Sequence, residues 1–184
     1  MSVHHLEFID DPEMNLEFTC RGGSPDKFAV AFENVSSTMS LDEKMLLVVY
    51  WRQHPPAPMI VLEDVVAIET AVNNMRHIAI GMTTNVGTSF AFAGTAILEM
   101  PEIILETLIA HELAHACQWV EAITGSLPAD ERQAHNQIAS DDTPNLRQSL
   151  ETWADKRAAG WNRSYNCDAL RTWFNEYIKR KGLT

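Results

Sequence analysis

Ile109-Ala110-His111-Glu112-Leu113-Ala114-His115-Ala116-Cys117 lies inside a long apolar segment, and the reading of this stretch decides the rest. Pro101 stands where a helix would begin, since its missing N–H is harmless in a first turn. Ile104, Leu108, His111 and His115 then recur at helical intervals, and Gly125 marks the expected end. On such a helix residues i and i+4 project from one face, so both imidazoles can reach a single metal ion. Glu112 is displaced around the helix yet stays beside that ion, where a carboxylate can take a proton from metal-activated water. A shuffled chain of this composition would carry the string in roughly one case in fifty. The surroundings add weight: Ile109, Leu113, Ala114 and Ala116 leave no polar face on which two surface histidines would sit.

Catalytic zinc takes three protein ligands and keeps a position open for water. A third ligand is offered by Leu150-Glu151-Thr152-Trp153-Ala154-Asp155, where Glu151 and Asp155 stand one turn apart on a second apolar helix. The alternative is that both carboxylates form a solvated helix edge beside Lys156 and Arg157. With this second segment the chain resembles the gluzincin branch of zinc metallopeptidases, in which a downstream helix carries E-x-x-x-D. The resemblance implies that Glu151 completes a zinc site with His111 and His115. It implies equally that Asp155 accepts a hydrogen bond from the far ring nitrogen of His111, and that Glu112 is the catalytic base. His135 is a rival third ligand, on the pattern of the SprT-like metallopeptidases, although Ala134 and Asn136 replace the glycines that flank that histidine there. Either Tyr165 or His135 is a candidate oxyanion donor. The remaining histidines His4, His5, His54 and His77 lack ligand spacing.

The resemblance covers about residues 93–160 and implies an α+β, zincin-like metalloprotease domain, with a small sheet whose edge strand lies beside the active-site helix. Ala93 to Leu98 occupies the position of that substrate-binding strand, and free edge N–H and C=O groups suit a protein or peptide substrate. The expected activity is zinc-dependent hydrolysis of peptide bonds. Two other readings share the motif: a zinc-binding regulator that acts by binding a partner, and a metal-free helical interaction protein.

Outside this region the expectations are local. Phe28 to Phe32 reads as a short strand. Ser40-Leu41-Asp42-Glu43 has the capping-box pattern and should open a helix that stops near His54, before Pro55 and Pro56. Val61, Val65, Ile68, Val72 and Met75 suggest a second helix, and His77 to Ile80 a strand. Gly81 to Gly94 reads as a loop, or as an irregular edge leading into a strand at Ala93 to Leu98. Leu127 to Asp142 is polar and turn-rich, Thr143-Pro144 signals another helix start, and a last amphipathic helix spans about Asp168 to Lys179. Helices and strands in mixed order make this an α+β chain, read as one domain over residues 1–184.

Composition bounds the function. With 14 Lys+Arg against 25 Asp+Glu, the formal charge is −11, which disfavours a nucleic-acid partner. The basic run Lys179-Arg180-Lys181 suits a helix C-terminal cap. Three cysteines without CxxC spacing, Cys20, Cys117 and Cys167, suit a reducing compartment. The N-terminus shows no signal-peptide pattern and no apolar run approaches a membrane span. The expectation is a cytoplasmic protein.

Overall fold

The computed structural model describes residues 1–10, 16–72, 75–138, 144–161 and 164–183. The chain is mixed α+β, as composition and pattern suggested. Strands β1 (Ser2–Leu6), β2 (Leu16–Cys20), β3 (Met59–Glu63), β6 (Gly81–Thr84) and β7 (Ser89–Ala93) form one sheet in the order β1-β2-β3-β7-β6, while β4 (Ile68–Val72) and β5 (Met75–Ala79) make a separate antiparallel pair. The centre of the sheet is parallel (β2 on β3, β3 on β7), and both edge strands run antiparallel to their neighbours.

Between β2 and β3 the chain crosses over through α1 (Pro25–Thr38) and α2 (Leu41–Arg52). The expected strand at Phe28 to Phe32 is instead the buried face of α1. Ser24-Pro25 starts that helix, and Phe28, Ala31, Phe32 and Val35 recur at helical spacing. Helix α2 begins at the expected capping box, with Ser40 Oγ accepting from the Glu43 N–H and Glu43 Oε2 accepting from the Ser40 N–H. The helix expected from Val61 to Met75 is also absent. Val61, Ile68, Val72 and Met75 belong to β3, β4 and β5, with Val65 in the connection between β3 and β4; β-branched side chains pack well on a pleated surface, and Ile60 and Leu62 alternate inward.

The stretch from Gly81 to Gly94 is ordered as β6 and β7, and Ala93 to Leu98 is not a strand. Its residues enter α3 (Gly94–Glu99). The reason is a close backbone approach. A Cβ on Gly94 would lie 2.3 Å from the Gly22 carbonyl oxygen and 2.8 Å from that of Glu63, so only glycine lets the chain turn out of β7 against the ends of β2 and β3. Helix α4 (Glu102–Thr124) follows Pro101 and ends at Gly125, whose φ of 77° is the left-handed conformation of a helix stop. It is buried on several sides, with Leu105, Ala110, Ala114, Ala116, Cys117 and Val120 fully enclosed.

The segment expected to be turn-rich carries α5 (Ala129–Ile138); residues 139–143, including the expected start at Thr143, lie outside the described residues. Helix α6 (Pro144–Trp161) packs along α4 through Leu150, Ala154, Ala158 and Trp161. Helix α7 (Cys167–Arg180) closes the fold. Its basic end caps less than it clasps: Arg180 and Lys181 pair with Glu99 at the end of α3. Among the described residues no helix is long and apolar enough to cross a membrane.

Candidate metal centre

His111 and His115 point from one face of α4 toward α6. Their Nε2 atoms are 3.0 Å apart. Glu151 of α6 meets both, with Oε2 3.0 Å from His111 Nε2 and Oε1 3.5 Å from His115 Nε2. One donor atom from each of the three residues lies within 4.8 Å of the others, so the cluster could hold a metal ion. His135 is not part of it.

The hydrogen bonds behind the rings define which nitrogens face the cluster. His111 Nδ1 donates to Asp155 Oδ1 at 3.0 Å, and Asp155 lies one turn beyond Glu151 on α6. His115 Nδ1 meets Gln118 Oε1 at 3.0 Å. The Gln118 amide is itself oriented, because its nitrogen donates to the Leu150 carbonyl at 3.2 Å, so its oxygen faces the ring. With each Nδ1 directed to an acceptor, the neutral form of each ring would turn its Nε2 lone pair toward the other ring and toward a carboxylate. Three acceptors converge, and a cation satisfies all three. Metal–nitrogen and metal–oxygen bonds of about 2.0–2.2 Å set tetrahedral donors roughly 3.3 Å apart, which matches the spacings here.

Without a cation, a proton takes the same place. Burial opposes charge on His111, but hydrogen bonds to Asp155 and Glu151 outweigh it and hold the imidazole pKa up to about 10. A proton between His111 Nε2 and Glu151 is therefore one way to satisfy the contact. A metal at the same place would be the other, held by His115 as well, and its uptake would release the proton. Burial likewise works against the Asp155 carboxylate, yet hydrogen bonds from His111, Tyr165 and Cys167 hold its pKa down to about 2. Glu151 is lowered too, its bonds to His111 and His115 overcoming its own burial.

Asp155 accepts from four side chains. Tyr165 Oη donates to Oδ1 beside His111, while Cys167 Sγ (3.2 Å) and Arg171 Nη2 (3.0 Å) donate to Oδ2. The Tyr165 hydroxyl is thus spent behind His111, on the Nδ1 side, and does not line the cleft as an oxyanion donor would. His135, the other candidate oxyanion donor, does not line the cleft either. It is 4% exposed on α5, its ring meets Trp119 edge-on at 5.0 Å, and neither ring nitrogen has a partner among the described residues. Burial, with His115 adding to it, holds its pKa down to about 4.

Glu112 is buried at 6% exposure and faces the same cleft, outside the donor cluster. Its carboxylate Oε2 accepts from Thr83 Oγ1 at 2.7 Å, and the Glu112 carbonyl lies 2.9 Å from the same hydroxyl. Thr83 belongs to β6, the edge strand. Sequence reasoning missed both Thr83 and Gln118. Gln118 was legible as the i+3 neighbour of His115; Thr83, 29 residues before Glu112, carries no local signal.

The cleft holds about 700 Å³. One wall is Ile78 to Thr83, running into β6, and the opposite wall is the face of α7 bearing Cys167, Leu170, Arg171 and Phe174. The edge strand beside the His111, His115 and Glu151 cluster is therefore β6, in place of the Ala93 to Leu98 segment. No match to this chain was found among protein-family models, curated proteins or solved structures.

Proposed function

We propose that this chain is a zinc-dependent peptide hydrolase of the gluzincin type, with His111, His115 and Glu151 holding the metal and Glu112 acting as base. The observation that carries the reading is the convergence of two imidazole Nε2 atoms and a carboxylate on one point of a cleft, with a second, separately held carboxylate beside them. A structural zinc site is closed by four protein ligands, whereas three leave a position for water. Zinc, when bound, makes water nucleophilic near neutral pH and polarises a carbonyl. Glu112 takes the proton from the attacking water and passes it to the leaving amine. The Thr83 hydroxyl serves both stages: it donates to the ionised Oε2, and, turned toward the Glu112 carbonyl, it accepts from the protonated carboxyl.

The walls of the cleft support a peptide as substrate. An exposed strand edge offers backbone hydrogen bonds to an extended peptide, and Ile80, Leu108, Leu150, Leu170 and Phe174 offer apolar surface to its side chains. Glu112→Gln keeps the size of the side chain and removes its basicity. Peptide hydrolysis should fall by about 10²-fold or more while zinc stays bound. If the variant cleaves peptides at the wild-type rate, the mechanism fails; if neither form cleaves any peptide of a diverse library with zinc bound, the peptidase reading gives way to a metal-dependent binding protein.

A further inference from the structure

A buried carboxylate next to a bound cation has two possible fates. It can coordinate, since carboxylate oxygens bind zinc at about 2.0–2.2 Å as readily as imidazole does, or it can stay free to carry protons. Glu112 shares the cleft with the three donor residues and yet stays out of their cluster. The hydrogen bond at its carboxylate comes from Thr83 Oγ1, 2.7 Å from Oε2, and the same oxygen lies 2.9 Å from the Glu112 carbonyl. The one hydroxyl proton serves the carboxylate, and the Glu112 carbonyl lies within reach of the same atom of the sheet. That atom is rigidly placed: threonine is β-branched and stiff at χ1, and β6 is paired to β7 with Thr83 opposite Phe90.

We propose that Thr83 is a positioning residue that holds the Glu112 carboxylate off the metal, keeping it a base instead of a fourth ligand. The inference rests on the metal-site reading above. Its consequence runs opposite to ordinary damage. Loss of a supporting hydrogen bond usually weakens a metal site, whereas release of Glu112 adds a ligand and tightens it.

Thr83→Val keeps the shape and suits a strand but removes the donor, Thr83→Ala is a second variant without the hydroxyl, and Thr83→Ser restores it. Each is made in the wild-type and in the Glu112→Gln chain and checked for folding by thermal melting. Zinc affinity is measured by chelator competition, and cobalt(II) is added as a probe whose visible absorption weakens as its coordination number rises. Thr83→Val and Thr83→Ala should bind zinc about tenfold more tightly or better, on the scale of a hydrogen bond to a charged group, with a weaker cobalt band. Thr83→Ser should match wild type, and the gain should vanish in the Glu112→Gln background. Equal or weaker binding in the variants without the hydroxyl overturns the inference, as does a gain that persists with Glu112→Gln. If the wild-type chain takes up neither zinc nor cobalt, the metal-site reading falls and this inference falls with it.

Discussion

Asp155→Asn tests whether the second carboxylate of α6 works through His111. The substitution preserves size and replaces one oxygen by an NH₂ group. In the native protein each carboxylate oxygen accepts from two donors, His111 Nδ1 and Tyr165 Oη on Oδ1, and Cys167 Sγ and Arg171 Nη2 on Oδ2. A carboxamide can serve one pair only; its nitrogen must face donors at the other. The lower-cost choice turns the oxygen toward His111 and Tyr165, because Arg171 is half exposed and can rotate to water. His111 then keeps a partner, but a neutral one, and such a bond has about half the strength of the charge-assisted one. Zinc affinity should fall about 10- to 100-fold, or about 1.4–2.7 kcal/mol. Tyr165→Phe removes one donor and leaves the His111 bond intact, so its loss should stay below about tenfold. Chelator competition on metal-free protein, with circular dichroism to confirm folding, ranks the two. A folded Asp155→Asn protein binding zinc within about twofold of wild type would refute the reasoning, as would a larger loss in Tyr165→Phe.

The third ligand is testable in the same titration. Glu151→Ala should weaken zinc far more than His135→Ala, since His135 lies outside the donor cluster; the reverse order would favour a three-histidine site. His135 also predicts a pH effect. Its ring stays neutral in the fold down to about pH 4, whereas an unfolded histidine protonates near 6.5. Stability is therefore intact above pH 6.5 and declines as pH falls through that window, by about 3 kcal/mol at its end. In His135→Leu the loss between pH 7.5 and 4.5, measured by urea unfolding, should shrink by roughly 2–3 kcal/mol; equal losses in both proteins would show that His135 is not the group responsible.

Much of the centre was legible as a string because its parts are local. His111, Glu112 and His115 lie within one and a half turns of one helix, and Glu151 and Asp155 within one turn of another, so helix periodicity alone aligns each pair. The capping box at Ser40, the start at Pro101 and the stop at Gly125 are likewise written in two to four residues: Ser40 and Gly125 satisfy orphan backbone groups at a helix end, and Pro101 brings no N–H that would need a partner. The misread elements have other causes. Phe28 to Phe32 by itself suits helix and strand alike, and only the wider window from Ser24-Pro25 to Val35 shows the helix. Val61 to Met75, in contrast, has apolar residues at helical spacing that pairing with neighbouring strands overrode. The edge strand was displaced from Ala93–Leu98 to Gly81–Thr84 because Gly94 packs against the carbonyls of Gly22 and Glu63, a contact between segments far apart in the chain.

Sequence alone determined which residues present metal-binding chemistry, since the periodicity of a helix is a property of consecutive residues. Tertiary structure alone decided how that chemistry is held: α4 against α6 brings Glu151 to both imidazoles, α7 and its lead-in saturate Asp155, and β6 delivers Thr83 to Glu112. These contacts join residues 10 to 40 positions apart. No local pattern encodes them, because it is the burial of a common core that brings such segments together.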